Sequence, residues 1–116
     1  MSSHENNVLL NVSIVAASHI HEYILKRISV KRLRKLNVRV DIIDFEKRTF
    51  EIDIDVECDL GIKQEVLNKL VNDASEYGFN LIKYLLEKID NGEIAGTIDE
   101  IERTARKFRQ NPYSHT

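Results

Sequence analysis

Between positions 50 and 58 the chain reads FEIDIDVEC, so Phe50, Ile52, Ile54, Val56 and Cys58 alternate with Glu51, Asp53, Asp55 and Glu57. A period of two puts successive side chains on opposite faces of a strand, which gives this segment one dry and one wet face. Upstream, Val38, Val40 and Ile42 alternate in the same way. Ile43 and Phe45 then shift the phase, which points to a bulge or to a strand covered on both faces near its end. The two segments read as a hairpin with its loop at roughly 46–49. Pairing their apolar faces sets Arg39 opposite Asp55 or Glu57 and Asp41 opposite another acid, leaving a strongly negative wet face. A two-stranded hairpin is marginal in water, so helices must cover the dry side.

The helices are legible on either side. From Ile62 to Ile89, Val66, Leu67, Leu70, Val71, Ala74, Tyr77, Leu81, Leu85 and Ile89 recur at spacings of three and four, and Asn91-Gly92 supplies a stop. The apolar arc of this helix spans roughly 220°, against the roughly 100° stripe of an ordinary surface helix. One sheet cannot cover it. Residues 8–28 are equally apolar through Val12, Ala16, Ile20, Tyr23, Ile24, Leu25 and Ile28. They read as a second wide-faced helix, with VLLNV (8–12) as a short first strand the alternative, because five residues do not fix a period. Thr97-Ile98-Asp99-Glu100 has the form of a capping box. It opens a last helix whose narrow stripe is Ile98, Ile101, Ala105 and Phe108 and whose later half is basic (Arg103, Arg106, Lys107, Arg109), ending before Asn111-Pro112.

The expected fold is therefore α+β, in the order α-β-β-α. An antiparallel hairpin packs against two long helices in a single domain over 1–116, with its core at about 8–90 and an appended C-terminal helix at about 97–110. The length of 116 residues, 42% hydrophobic and 31% charged residues, four Gly and one Pro fit one globular core. The longest uninterrupted apolar stretches fall short of the roughly 20 residues of a membrane span, and 1–7 lack the order of a signal peptide, so the expected location is the cytoplasm, with no membrane partner.

The net charge of −2 conceals a sorted chain. Lys26, Arg27, Lys31, Arg32, Arg34, Lys35 and Arg39 place seven cations in fourteen residues, and an acidic block from Asp41 to Asp59 follows. The first six of these cations are the candidate RNA contacts, through phosphates, although no aromatic interleaving, GxxG loop or RNP-like motif accompanies them. His19 and His21, two apart on a helix, diverge by about 160° and cannot grip one ion. The single Cys58 sits on a dry strand face, where a thiol behaves as a small hydrophobe. The acidic ladder of the strand reads as solvated positions, and the scattered glycines form no phosphate loop. No metal, cofactor or catalytic residue is expected.

The run IHEYILKRIS, then LNVRVDIID and FEIDIDVEC, then a long helix ending LIKYLLEKI, resembles a family of short uncharacterised archaeal proteins. That family looks like a relative of the small dimerising Pcc-type subunit of KEOPS, the complex that helps install threonylcarbamoyl on adenosine 37 of certain tRNAs. The resemblance covers about Val8 to Ile89 through element order and apolar pattern. It leaves out the helix from Thr97 onward, and the N-terminal strand of the Pcc-type fold has no clear counterpart. What it implies is a non-catalytic accessory subunit whose sheet pairs two copies or paralogs, as homodimer or heterodimer, and whose helices pack on a KEOPS small or catalytic subunit. On that view Phe79, Ile82, Leu86, Tyr23 and Leu25, on the surplus apolar arcs of the two long helices, are the candidate partner interface. The alternative of another class is a free-standing RNA-binding module acting through 26–39, with tRNA a possible ligand. An enzyme is the third choice.

Overall fold

The computed structural model describes residues 3–110, with side chains through Phe108. Helix α1 spans Ser3–Leu25, a single 3-10 turn covers Val30–Arg32, strands β1 and β2 span Leu33–Asp44 and Thr49–Cys58, and helices α2 and α3 span Gln64–Asp90 and Ile98–Gln110. The α+β architecture read from the sequence is the one observed, and VLLNV is helical. Arg109's side chain and Asn111-Pro112 lie outside the described residues.

The chain folds in three layers. The hairpin forms the first, with α1 over β1 and α2 over β2. The antiparallel α1 and α2 form the second, and α3 lies on their far side. Ile20, Ile24, Leu81 and Leu85 are fully buried between the layers, each stabilising the fold by roughly 1.5–3 kcal/mol. This stacking explains the wide apolar arcs, because each long helix meets a sheet on one side, a helix beside it and α3 on the other. The last helix closes the far side of the helical layer. Gly78 sits where α1, α2 and β2 converge. A Cβ there would press on Ile20 Cδ1 and lie 2.8 Å from Ile52 Cδ1, so the absence of a side chain sets how closely the helices approach.

Hydrogen bonds at the element ends fix the connections. After α2, Gly92 takes φ +76°, its N–H donates to Ile89 O at 3.0 Å, and Glu93 N–H donates to Lys88 O at 3.0 Å. This is a Schellman arrangement that satisfies carbonyls the helix end leaves open. At the start of α3, Glu100 N–H donates to Thr97 Oγ1 at 3.3 Å, whereas the Glu100 carboxylate accepts from Ala95 N–H, two residues further back than a capping box requires.

The hairpin turn occupies 45–48, one residue earlier than expected. Arg48 adopts φ +53° there, and its guanidinium clamps Asp90 at 2.7 and 2.9 Å, pinning the hairpin tip to the end of α2. The Asp90 carboxylate, with a smaller contribution from Glu5, raises the guanidinium pKa above its ordinary value.

Two bulges bracket the regular ladder, one between Leu33 and Lys35 and one between Ile42 and Asp44. The phase shift at Ile43 thus has its cause in a bulge. The earlier turn and this extra residue together slide the register, so Arg39 faces Asp53 and not Asp55 or Glu57, while Asp41 faces Glu51.

Candidate interaction surface

On the wet face of the hairpin Lys35 lies opposite Glu57, Asn37 opposite Asp55, Arg39 opposite Asp53 and Asp41 opposite Glu51. Lys35 Nζ bridges diagonally to Asp55 at 2.7 Å, and Arg39 reaches Asp53 at 2.9 Å and Asp41 at 3.1 Å. Hydrogen bonding to Asp55 and its charge, with a smaller push from Glu57, raise the ammonium pKa of Lys35. These are exposed pairs, whose attraction water and salt largely screen. They organise the face more than they stabilise it. Among the described residues no three His, Cys, Asp or Glu side chains come together as metal ligands.

The fold divides the basic segment among three settings. Lys26 and Arg27 close α1, Lys31 and Arg32 lie in the 3-10 turn, and Arg34 and Lys35 enter β1. Arg27 lies 3.5 Å above the Tyr23 ring and donates to Tyr23 O at 3.0 Å. The first bulge leaves Arg34 and Lys35 both exposed between the half-buried Leu33 and Leu36. Arg32 packs against Gly61. Lys35 belongs to a face dominated by five carboxylates (Asp41, Glu51, Asp53, Asp55 and Glu57), which repel phosphates.

His19 is 1% exposed, with Nε2 at 2.8 and 3.0 Å from the two Glu102 oxygens, so it locks α3 onto α1. His21 is half-buried. Cys58 lies at the end of β2, its thiol pKa raised first by burial and then by Asp59.

Of the five residues expected at a partner interface, Phe79 is exposed at 46%. Ile82 requires correction: at 4% exposure it belongs to the chain's own core, because the sheet-facing side of α2 extends round to it. Leu86 is half-buried beside Val8, Leu9, Ile89 and Ile94. Tyr23 is half-buried and stacks on Tyr77 with ring centroids 4.8 Å apart, and Leu25 is half-buried.

More apolar surface stays open elsewhere, starting with the hairpin itself. Only Val40 and Phe50 on its dry face are buried, whereas Leu36, Val38, Ile42, Ile52, Ile54 and Val56 remain half-covered. Beyond Gly78 the first turns of α2 stand off from the end of β2. A groove of about 390 Å³ opens there, between Ile54 and Val56 on one wall and Leu67 and Val71 on the other, with Gln64, Asn68 and Asn72 along its rim. The described sheet has two strands, so each has an edge without a neighbouring strand.

On α1, Leu10 and Ile14 are 43% and 56% exposed. The sequence carried a signal for them, since Leu10, Ile14, Ala17 and His21 run at spacings of four, three and four.

The arrangement has the features of a docking body: open strand edges, a half-covered apolar face and a groove with a polar rim. No curated protein and no solved structure matches the chain. One family model does, over residues 3–90, covering α1, the hairpin and α2 and stopping short of α3. The chain therefore belongs to the family described as protein of unknown function (DUF3194).

Proposed function

We propose that this protein is a non-catalytic, cytoplasmic interaction subunit, an accessory of the KEOPS tRNA-modification complex. The observation that supports it is the half-covered dry face of a two-stranded hairpin whose edges are both open. A partner strand laid along an edge would satisfy the outward backbone groups, and its side chains would complete the apolar face. The choice of KEOPS rests on the resemblance of IHEYILKRIS, LNVRVDIID, FEIDIDVEC and LIKYLLEKI to relatives of its small Pcc-type subunit.

The RNA-binding alternative draws less support. Of its six cations, Arg27 is stacked on Tyr23 and Lys35 is bridged to Asp55. Phosphate tracking needs a continuous basic surface.

Affinity purification of the tagged chain from its native host, read by mass spectrometry, tests the proposal. KEOPS subunits are expected at stoichiometric levels. They should be lost when Asn68→Arg and Asn72→Arg load the rim of the α2–β2 groove with bulk and charge, both positions being exposed. Recovery of no KEOPS subunit with the unmodified chain refutes the assignment.

A further inference from the structure

The flank of α2 that borders the groove carries no charge, in a chain of which 31% is charged. Gln64, Asn68, Val71, Asn72, Ser75 and Phe79 fall within an arc of roughly 100° on the helix, and Glu65, Lys69 and Asp73 lie further round. Gln64, Asn68, Asn72 and Phe79 are exposed. A solvated helix face is where charged side chains ordinarily gather. Amides in their place keep hydrogen-bonding capacity and are far less costly than charges for a partner to cover.

The amides are also regularly spaced. Gln64, Asn68 and Asn72 follow one another at four-residue steps, which rise about 6 Å along the helix. Alternate residues of an extended chain are separated by a similar distance, about 6.6–6.8 Å. A primary amide both donates and accepts, so one rung can take the carbonyl and the N–H of a single peptide residue. Gln64 Nε2 donates to Asn68 Oδ1 at 2.9 Å. That bond aligns the first two rungs and leaves the Asn68 amino group and the Gln64 carbonyl oxygen for an incoming backbone. Asp55 stands across the groove from the amides. It belongs to a face on which Lys35 and Arg39 offset only two of the five carboxylates, so the far rim is net negative. Past the last rung the same line reaches Phe79, about 20° round from both Asn68 and Asn72.

We propose that the α2–β2 groove takes an extended peptide segment of a partner protein, its backbone held by the amides of Gln64, Asn68 and Asn72. Successive side chains of such a segment point to opposite faces. One set is apolar and enters the groove onto Ile54, Val56, Leu67 and Val71; the other is basic and meets the carboxylates beside Asp55. The inference rests on the interaction role proposed above and states the chemistry of what fills its groove.

The probe is a fluorescein-labelled peptide alternating lysine and valine, about eight residues long, enough for an extended chain to pass three rungs with a little to spare. Fluorescence anisotropy with the purified full chain should show saturable binding in the micromolar range. Peptides with glutamate in place of lysine, or serine in place of valine, should each bind roughly tenfold more weakly or worse. Asn68→Ala with Asn72→Ala should weaken the lysine–valine peptide by about tenfold or more. Alanine is the better helix former at these exposed positions, so the loss cannot come from unfolding. Asp55→Asn should make binding less sensitive to salt.

No binding of the lysine–valine peptide, equal binding of the glutamate peptide, or full-strength binding by the alanine pair each overturns the proposal. Self-association of the wild type that the alanine pair abolishes overturns it too, because a second copy then fills the groove. If the peptide does not bind and the chain still retrieves KEOPS subunits, the peptide reading fails while the accessory role stands. If the peptide binds through the amides and no KEOPS subunit is recovered, the peptide reading stands while the KEOPS assignment fails.

Discussion

Truncating Phe108 to alanine should loosen the docking of α3 while the rest of the molecule keeps its stability. The Phe108 side chain is 6% exposed, with its ring centroid 5.1 Å from that of Tyr84 and 5.7 Å from that of Tyr77. Burying a phenylalanine contributes roughly 1.5–3 kcal/mol and each aromatic pair about 0.5–1.5 more. The sum agrees with the roughly 3–5 kcal/mol typical of buried Phe→Ala changes. A 13-residue helix is near the lower limit of about 12–15 residues for stability in water, so docking is what holds α3 helical. With Phe108 gone, Ile101, Ala105 and the His19–Glu102 contact remain to anchor it.

Native-state hydrogen exchange separates local from global loss. A weakening of about 3 kcal/mol lowers protection of the α3 amides roughly a hundredfold. Amides of α1, the hairpin and α2, the part that the family model covers, should keep theirs to within a fewfold. The reasoning fails if α3 protection falls less than tenfold. It fails equally if all elements lose protection together, because α3 would then belong to one cooperative unit with the core.

Two further outcomes follow from single positions. Gly96 has φ +95°, and a Cβ there would lie 2.8 Å from Val8 Cγ2, so Gly96→Ala should cost about 2–3 kcal/mol in urea unfolding from left-handed strain and crowding together; a cost below about 0.5 kcal/mol contradicts this. Burial and the neighbouring Asp59 raise the Cys58 pKa, leaving less thiolate at neutral pH. Iodoacetamide should therefore label the folded chain more slowly than the urea-unfolded one at neutral pH, with the gap closing as pH rises through the raised value, and equal rates at neutral pH would contradict the placement of the thiol.

The local code is strong wherever one physical rule dominates a segment. FEIDIDVEC can be little else than a strand with one dry face, because nine residues keep a period of two without exception. Asn91-Gly92 ends α2 because glycine enters the left-handed region without a Cβ clash, and the two hydrogen bonds that close the helix follow. The wide arcs of the two long helices likewise declared that each must touch more than one neighbour.

What they could not declare was which neighbour. Burial of Ile82 depends on the hairpin lying under α2, closure by Phe108 depends on α3 folding back over the helical layer, and His19 finds Glu102 across 83 positions of chain. Arg39 finds Asp53 only once the turn and the Ile43 bulge have set the register. Periodicity is a property of neighbouring residues along the backbone, so the sequence by itself determined each element and the width of its apolar face. Pairing between faces is settled by packing among elements distant in the chain, so only the tertiary structure decided that α3 closes one side of the helical layer while the hairpin edges and the Leu10–Ile14 flank stay open.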